Sequence, residues 1–244
     1  MNNSTHEGGV VAKLRALVRS HIPLVARARA RDLLRKIRGL PSADIEMWEQ
    51  RAGQFGARAV FNLGHTEQEL ERVTELQKTK LYPLLQKQLR GGERLVIDLG
   101  CGPGRFTGDL ARLTGARTVG VDPIQALLDL APTSPNVELQ RMMEGRIPVA
   151  DRVADVVWIC LVLGGLRDDV MHSTIAEVRR VLAPGGLVFL VENTTEAVDS
   201  TFWRFRSVAD YQRALAPIQL AHMEDYDDLG ERISILAGRV PPIR

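Results

Sequence analysis

The sequence predicts an α/β fold in which a parallel sheet is covered on both faces. Leu95, Val96, Ile97 and Leu99, interrupted once by Asp98, make a short buried strand. Gly100, Gly102 and Gly104 then bend the backbone sharply, and Phe106, Leu110 and Leu113 follow at helical spacing. A strand that opens through glycines onto a helix N-terminus offers free amides to a ligand, and such an end favours negative or electron-rich groups. A second run, residues 155–163, is near-continuous in apolar side chains, as a strand covered on both faces must be. With 244 residues, 45% hydrophobic and 25% charged, the chain can bury one large α/β domain with appendages.

Composition narrows the setting. Two cysteines, Cys101 and Cys160, argue for a reducing compartment and against a disulfide framework. The longest apolar stretch, 156–163, is too short to span a bilayer. The basic N-terminal stretch lacks a continuous apolar core with a small-residue cleavage site after it, so no cleavable signal is expected and the cytoplasm is the expected compartment. The formal charge of +2 is uneven: residues 10–40 carry nine basic residues against Asp32 alone, a local +8 that leaves the remainder at −6.

In chain order, residues 1–9 are polar and expected to be disordered. Val10, Leu14, Leu17, Val18 and Ile22 share one helix face ended by Pro23, and Ala26, Ala30, Leu33, Leu34 and Ile37 form a second stripe ended by Gly39 and Pro41. Residues 1–41 thus read as a basic helical arm. It either packs its stripe on the domain or on a second subunit, as in a homodimer, or lies on an anionic membrane surface. Nucleic acid is not an expected partner, because the arm has no interleaved aromatics and the rest of the chain is acidic. Residues 42–92 form a helical cap, with Thr66 and Glu69 as a capping box for a helix through Leu70, Val73, Leu76 and Leu81, kinked or restarted at Pro83. Residues 93–244 are the core.

The glycine spacing separates two ligand classes. The dinucleotide fingerprint G-x-G-x-x-G needs a third glycine where this chain has Arg105 or Thr107, so the pyrophosphate reading loses ground. Asp98-Leu99-Gly100-Cys101-Gly102-Pro103-Gly104 instead resembles, position for position, the D-x-G-x-G-x-G of class I S-adenosylmethionine-dependent methyltransferases. The resemblance continues through Asp122 at the end of 117–122 and through Leu182-Ala183-Pro184-Gly185-Gly186, similar to the family's L-x-P-G-G turn, and covers roughly residues 93–192. It implies a Rossmann-like doubly wound sheet, mostly parallel, with an antiparallel C-terminal edge hairpin here at 218–222 and 233–238, plus an N-terminal helical extension.

The resemblance also implies site residues. Gly100, Cys101, Gly102 and Gly104 would lie against the methionine part of the cofactor, Asp98 would help hold its amino group, and Asp122, with Pro123 beside it, would accept both ribose hydroxyls, two acceptor oxygens meeting two donors. Residues 144–151 are similar to the family's acidic-x-x-Leu-Pro-Phe segment, although Met142 stands where an aspartate is frequent. That departure leaves Met142 or Met143 for the adenine face, with Glu144 and backbone amides for its edge, or both methionines as core filling. Leu161 lies toward the C-terminal end of the fourth strand, 155–163, which faces the crevice. Gly164-Gly165 replaces the histidine-containing pair many relatives carry, which leaves room for substrate or cofactor but removes a base. The segment before the first motif commonly folds over the cofactor, which makes Trp48, Arg51 and His65 pocket candidates. Phe202, Trp203, Arg204, Phe205 and Arg206 read as a lid or as a satellite hydrophobic cluster.

A sulfonium methyl is already activated, so the protein must orient an acceptor and take its proton where there is one. His65 and His222 are the candidate bases, each with a plainer alternative, helix capping for His65 and a solvated acidic hairpin tip for His222; His172 is expected on the surface. No cluster has metal-ligand spacing. The expected function is methyl transfer to oxygen or nitrogen of a small molecule, a specialised metabolite or saccharide, with S-adenosylhomocysteine as product. The alternatives are a non-catalytic cofactor-binding regulator or scaffold, and a protein or nucleic-acid methyltransferase.

Overall fold

The computed structural model describes residues 43–143 and 145–241. The chain divides into two compact units, Met1–Glu46 and Met47–Arg244. Of the first, only 43–46 are described, so the two basic helices expected in 10–37 lie outside the described residues.

The core is a seven-stranded sheet: β1 (Leu95–Leu99), β2 (Arg117–Asp122), β3 (Val137–Arg141), β4 (Ala154–Cys160), β5 (Leu182–Asn193), β6 (Ala221–Asp228) and β7 (Glu231–Arg239). Their spatial order is β3-β2-β1-β4-β5-β7-β6, parallel except for β7, which runs antiparallel to both its neighbours. The chain therefore leaves β1 outward to β2 and β3, then returns to the other side of β1 with β4. That reversal opens a crevice at the carboxyl ends of β1 and β4, the place where open α/β sheets hold ligands.

Alternate strand residues serve the two faces, as a period of two requires. Ile97, Ile159 and Leu190 pack under α5 (Asp168–Val181) and α6 (Val208–Leu215) through Ile175, Val178 and Leu215. Val96, Trp158 and Phe189 pack on the other face against α2 (Leu70–Gln88) and α3 (Thr107–Thr114) through Leu81, Leu85 and Leu110. Trp158 lies fully buried and stacked on Phe189, ring centres 4.9 Å apart, with Phe106 tilted at 5.6 Å. Two further helices, α1 (Ala43–Phe55) and the single-turn α4 (Gln125–Leu128), precede the rim and follow β2 respectively.

Several boundaries differ from expectation for local physical reasons. The Thr66–Glu69 capping box forms, but its first turn is a 3-10 turn, Glu67–Glu69, before α2 begins. Pro83 does not break α2, which runs 19 residues through it. The Leu182–Gly186 segment is drawn into β5 with a register irregularity against β4, not left as a turn. The first hairpin strand is 221–228, not 218–222: Ile218 and Leu220 are buried before it starts, and the acidic run expected at the tip is strand. The reversal is the two-residue Leu229-Gly230, both with φ in the left-handed region (55° and 83°), the geometry tight hairpins use.

Trp158→Ala removes the largest fully buried side chain of the α2/α3 face and should cost roughly 3–5 kcal/mol. Urea unfolding followed by circular dichroism reads it as a lower midpoint with unchanged slope.

Candidate functional site

The rim at the carboxyl ends of β1 and β2 is built by carboxylates that take loop amides. Gly100 follows β1 with φ +71°, and its amide donates to Val121 O at 2.8 Å. A Cβ there would stand 2.5 Å from Val162 Cγ2, so only glycine lets the two loops touch. At the end of β2, Asp122 accepts the Gly102 amide on Oδ2 at 2.9 Å and the Ile124 amide on Oδ1 at 2.8 Å. Each of its oxygens keeps a lone pair, and the side chain faces the loop bearing the glycines. Asp98, buried in β1, accepts the Thr107 hydroxyl at 2.6 Å. Cys101 is buried in the same loop, and burial pushes its thiol pKa up.

Across the crevice, Glu192, one residue before the end of β5, is fully buried and accepts three amides of the loop after β4: Val162 at 2.9 Å, Leu163 at 2.6 Å and Gly164 at 3.2 Å. Arg206 holds the same loop by its carbonyls, donating to Leu163 O at 2.8 Å and Leu166 O at 2.7 Å while pairing with Asp168. Nothing in the sequence reading singled out Glu192. Its signal is a lone acid closing the apolar run Leu187-Val188-Phe189-Leu190-Val191.

The loop so fixed carries an aromatic roof. The Trp203 indole lies on Gly164 so closely that a Cβ would come 2.3 Å from its ring, and the Trp48 indole N–H reaches Gly165 O at 3.5 Å. The room expected above Gly164-Gly165 for substrate or cofactor is therefore filled by two indoles. Trp48 and Phe202 meet edge to face at 6.4 Å, and the Arg51 guanidinium lies 5.4 Å from the Trp48 ring centre and 4.8 Å from that of Phe202. Phe202 and Trp203 thus join the cap, whereas Phe205 faces the groove between α5 and α6.

Residues 96–186 match the methyltransferase-domain family. The N-terminal Xaa-Pro-Lys N-methyltransferase 1 of Danio rerio is 31% identical over 160 residues, 60% of this chain and 71% of that protein. The chain belongs to the class I S-adenosylmethionine-dependent methyltransferases. The demethylmenaquinone methyltransferase of Chlorobaculum parvum is 28% identical over 109 residues, 44% of each chain, so the match spans less than half of that relative. In fold, the structure resembles a SAM-dependent methyltransferase from Aquifex aeolicus, with a TM-score of 0.55 at 16% identity over 72% of this chain and all of that one.

S-adenosylmethionine is accordingly the methyltransferase's cofactor, and the rim fits it. Asp122 keeps one lone pair per oxygen for two ribose hydroxyls, and Asp98 offers a buried carboxyl to an ammonium. Other expected positions fall differently. Arg51 spends its guanidinium within the cap, donating to Ala59 O at 2.8 Å and Phe61 O at 3.2 Å. Leu161 adopts φ +57° and donates its amide to Val191 O. The Pro123 carbonyl accepts from Arg141. Met142 is core, packed among the α5/α6-face residues, while Met143 is exposed and bridged to Arg146; Glu144 lies outside the described residues. His65 is buried with Nε2 2.6 Å from Asp228 Oδ1, so it joins the cap to the hairpin end. His222 sits on the exposed edge strand, bonded to Asp225 and paired with Leu236, four residues back from the crevice end at Arg232. Among the described residues no cluster could hold a metal ion.

Burial raises Asp98 from its ordinary 3.8 to about 7, Asp122 to about 6, and Glu192 from 4.5 to about 7. All three hold protons more tightly folded than unfolded, so this contribution to stability falls as pH rises from about 4 to about 7 and is level above that. Cofactor binding that needs ionised Asp98 and Asp122 runs the other way. The thermal upshift given by saturating S-adenosylmethionine should be larger at about pH 8 than at about pH 5.5. An upshift indifferent to pH would dissociate these carboxylates from the cofactor.

Proposed function

We propose that the methyltransferase acts on an oxygen or nitrogen of an enclosed small molecule, in specialised-metabolite or saccharide synthesis. The observation that carries this reading is the aromatic cluster on the loop after β4: Trp48, Phe202 and Trp203 pack on Gly164-Gly165 with Arg51 braced between two rings, which suits a compact acceptor better than a long polymer. The two free cysteines support a cytoplasmic setting, and no described helix is long and apolar enough to cross a membrane.

The cofactor supplies a methyl group on a sulfonium, activated for in-line displacement. The chain's own residues do the rest. Asp122 would hold the ribose hydroxyls and Asp98 the methionine ammonium, with the side-chain-free glycine loop letting the cofactor lie close, which would set the methyl's direction. Glu192 and Arg206 hold residues 162–166 still from two sides, so the roof sits at a fixed height above the rim. The roof excludes water from the acceptor. His65, oriented through Nε2 by Asp228, has Nδ1 as the nitrogen to take an acceptor proton where the acceptor is a hydroxyl.

A second reading, methylation of a polypeptide N-terminus, is favoured by the likeness to the Danio rerio protein. The basic arm, 1–41, supplies either a subunit contact or a membrane-surface contact under both readings.

The test is transfer from methyl-labelled S-adenosylmethionine to small phenols, sugars and amines beside Xaa-Pro-Lys peptides. Label on small acceptors supports the first reading and label on peptides alone the second; tight cofactor binding with no transfer to anything leaves a non-catalytic binder. For whichever small acceptor takes label, Trp203→Ala should raise its KM on the order of tenfold while cofactor affinity changes little.

A further inference from the structure

The crevice end of the β6–β7 hairpin meets the cap through side chains that leave three acceptor atoms open. Asp228 ends β6 and Glu231 begins β7, paired in register across the Leu229-Gly230 reversal. Glu231 Oε2 accepts two side-chain amides, Asn62 Nδ2 from the cap at 3.2 Å and Asn193 Nδ2 from the end of β5 at 2.9 Å, while Oε1 has no donor among the described residues. Asp228 meets His65 Nε2 through Oδ1 at 2.6 Å and has Oδ2 open in the same way. His65 is only 7% exposed; with Nε2–H donated to that carboxylate, Nδ1 of the neutral ring is an acceptor, and it too has no protein partner. No lysine or arginine among the described residues forms an ion pair with either acid, and Arg105 acts on Asp228 only at longer range. Burial first, and then the neighbouring Asp228 charge, raises the Glu231 pKa, an environment that a cation would relieve.

The cofactor has its polar partners elsewhere. β1, β4 and β5 separate β7 from β2, where Asp122 would take the ribose, and the cofactor's ammonium falls to Asp98 of β1, with β4 and β5 between. The open atoms lie instead where Asn62 and His65 bring the cap onto the hairpin.

We propose that Glu231, Asp228 and His65 seat an ammonium group of the methyl acceptor, its three N–H donors meeting Glu231 Oε1, Asp228 Oδ2 and His65 Nδ1. The assignment rests on the small-acceptor reading above and narrows it to a molecule that bears a primary amino group. Asn62 and Asn193 are positioning residues, since they fix the Glu231 carboxylate from the cap and from the sheet. For an acceptor of this class His65 Nδ1 accepts an N–H, and its part as a base belongs to hydroxyl acceptors.

The test uses the full chain saturated with S-adenosylhomocysteine. Benzylamine is titrated at constant ionic strength while the side-chain amide signals of Asn62 and Asn193, which report on Glu231, are followed by NMR. Neutral benzyl alcohol and benzyltrimethylammonium, a cation without N–H donors, are the controls. The expected result is a saturable shift of both signals with benzylamine and none with either control. Glu231→Gln should weaken benzylamine on the order of tenfold or more with S-adenosylhomocysteine binding retained. Because the titration of the unaltered chain needs no variant to fold, failure of Glu231→Gln to fold leaves the proposal to be decided by the shift. No shift with benzylamine, an equal shift with either control, or unchanged benzylamine affinity in a folded Glu231→Gln overturns it. So does movement of these signals on adding S-adenosylhomocysteine but not its deaminated analogue, since the acids then hold the cofactor's ammonium. Benzylamine seated in a chain that labels peptides alone supports the seat and strikes the small-acceptor reading; label on a small acceptor with no seating of benzylamine does the reverse.

Discussion

Loops at the carboxyl rim of a parallel sheet have amides beyond those that a neighbouring strand can take, and buried amides must be satisfied. This chain meets that constraint with carboxylates placed at strand ends. Asp122 takes the amides of Gly102 and Ile124, and Glu192 takes three successive amides of the loop after β4. Each acid is almost wholly buried, which on its own favours the neutral form and raises its pKa. The donors oppose that shift, so the loops are held by groups whose charge is itself costly, and the cost is lowered by whatever further donors arrive. A ligand bearing hydroxyls or an ammonium is such a donor set. Rim architecture and cofactor affinity are therefore one electrostatic arrangement seen from two sides.

The same loops dictate where bulk can go. Val162 rests on Gly100, and Trp203 rests on Gly164, so the two glycines let a β-branched side chain and an indole approach the backbone where any Cβ would collide. Glu192 below and Arg206 above keep residues 162–166 in that position, and Arg206 in turn ties the start of α5 to the segment leading into α6. The roof is thus supported from the sheet. It does not depend on the cap alone, and a change at Glu192 should be felt by acceptor and cofactor together.

Motif-bearing segments were legible because their chemistry is local. The glycine spacing from Gly100 to Gly104 told against the pyrophosphate reading, Asp122 ended an apolar strand, and the Thr66–Glu69 capping box forms as expected. Long-range arrangements were not. Nothing in 162–166 or at Glu192 reveals that one acid binds three amides some 30 positions away, and the His65–Asp228 pair joins residues 163 apart. Periodicity misplaced the hairpin because β6 is an edge strand: its residues are mostly exposed, so the acidic run looked like a turn, while the apolar Ile218 and Leu220 that looked like strand pack into the core before it. Met142 and Met143 illustrate the limit of a flexible residue type. Side by side in sequence, one is buried and the other exposed, and only the placement of β3 decides which.

Opposite charges at the rim are kept from direct pairing. The carboxylates Asp98, Asp122 and Glu192 are held by neutral donors, and Arg105 is held by the neutral Thr74 and Gln77, so neither sign is quenched by direct contact with the other. Had Arg105 paired with Asp98, a few residues away in sequence, both would be satisfied and neither would have affinity left for a ligand. Asp98 instead spends one bond on Thr107, and the Phe61 and Phe106 faces, not an acid, flank the guanidinium. Cation–π contacts of that kind are worth about 0.5–2 kcal/mol, and they orient the fork without neutralising it.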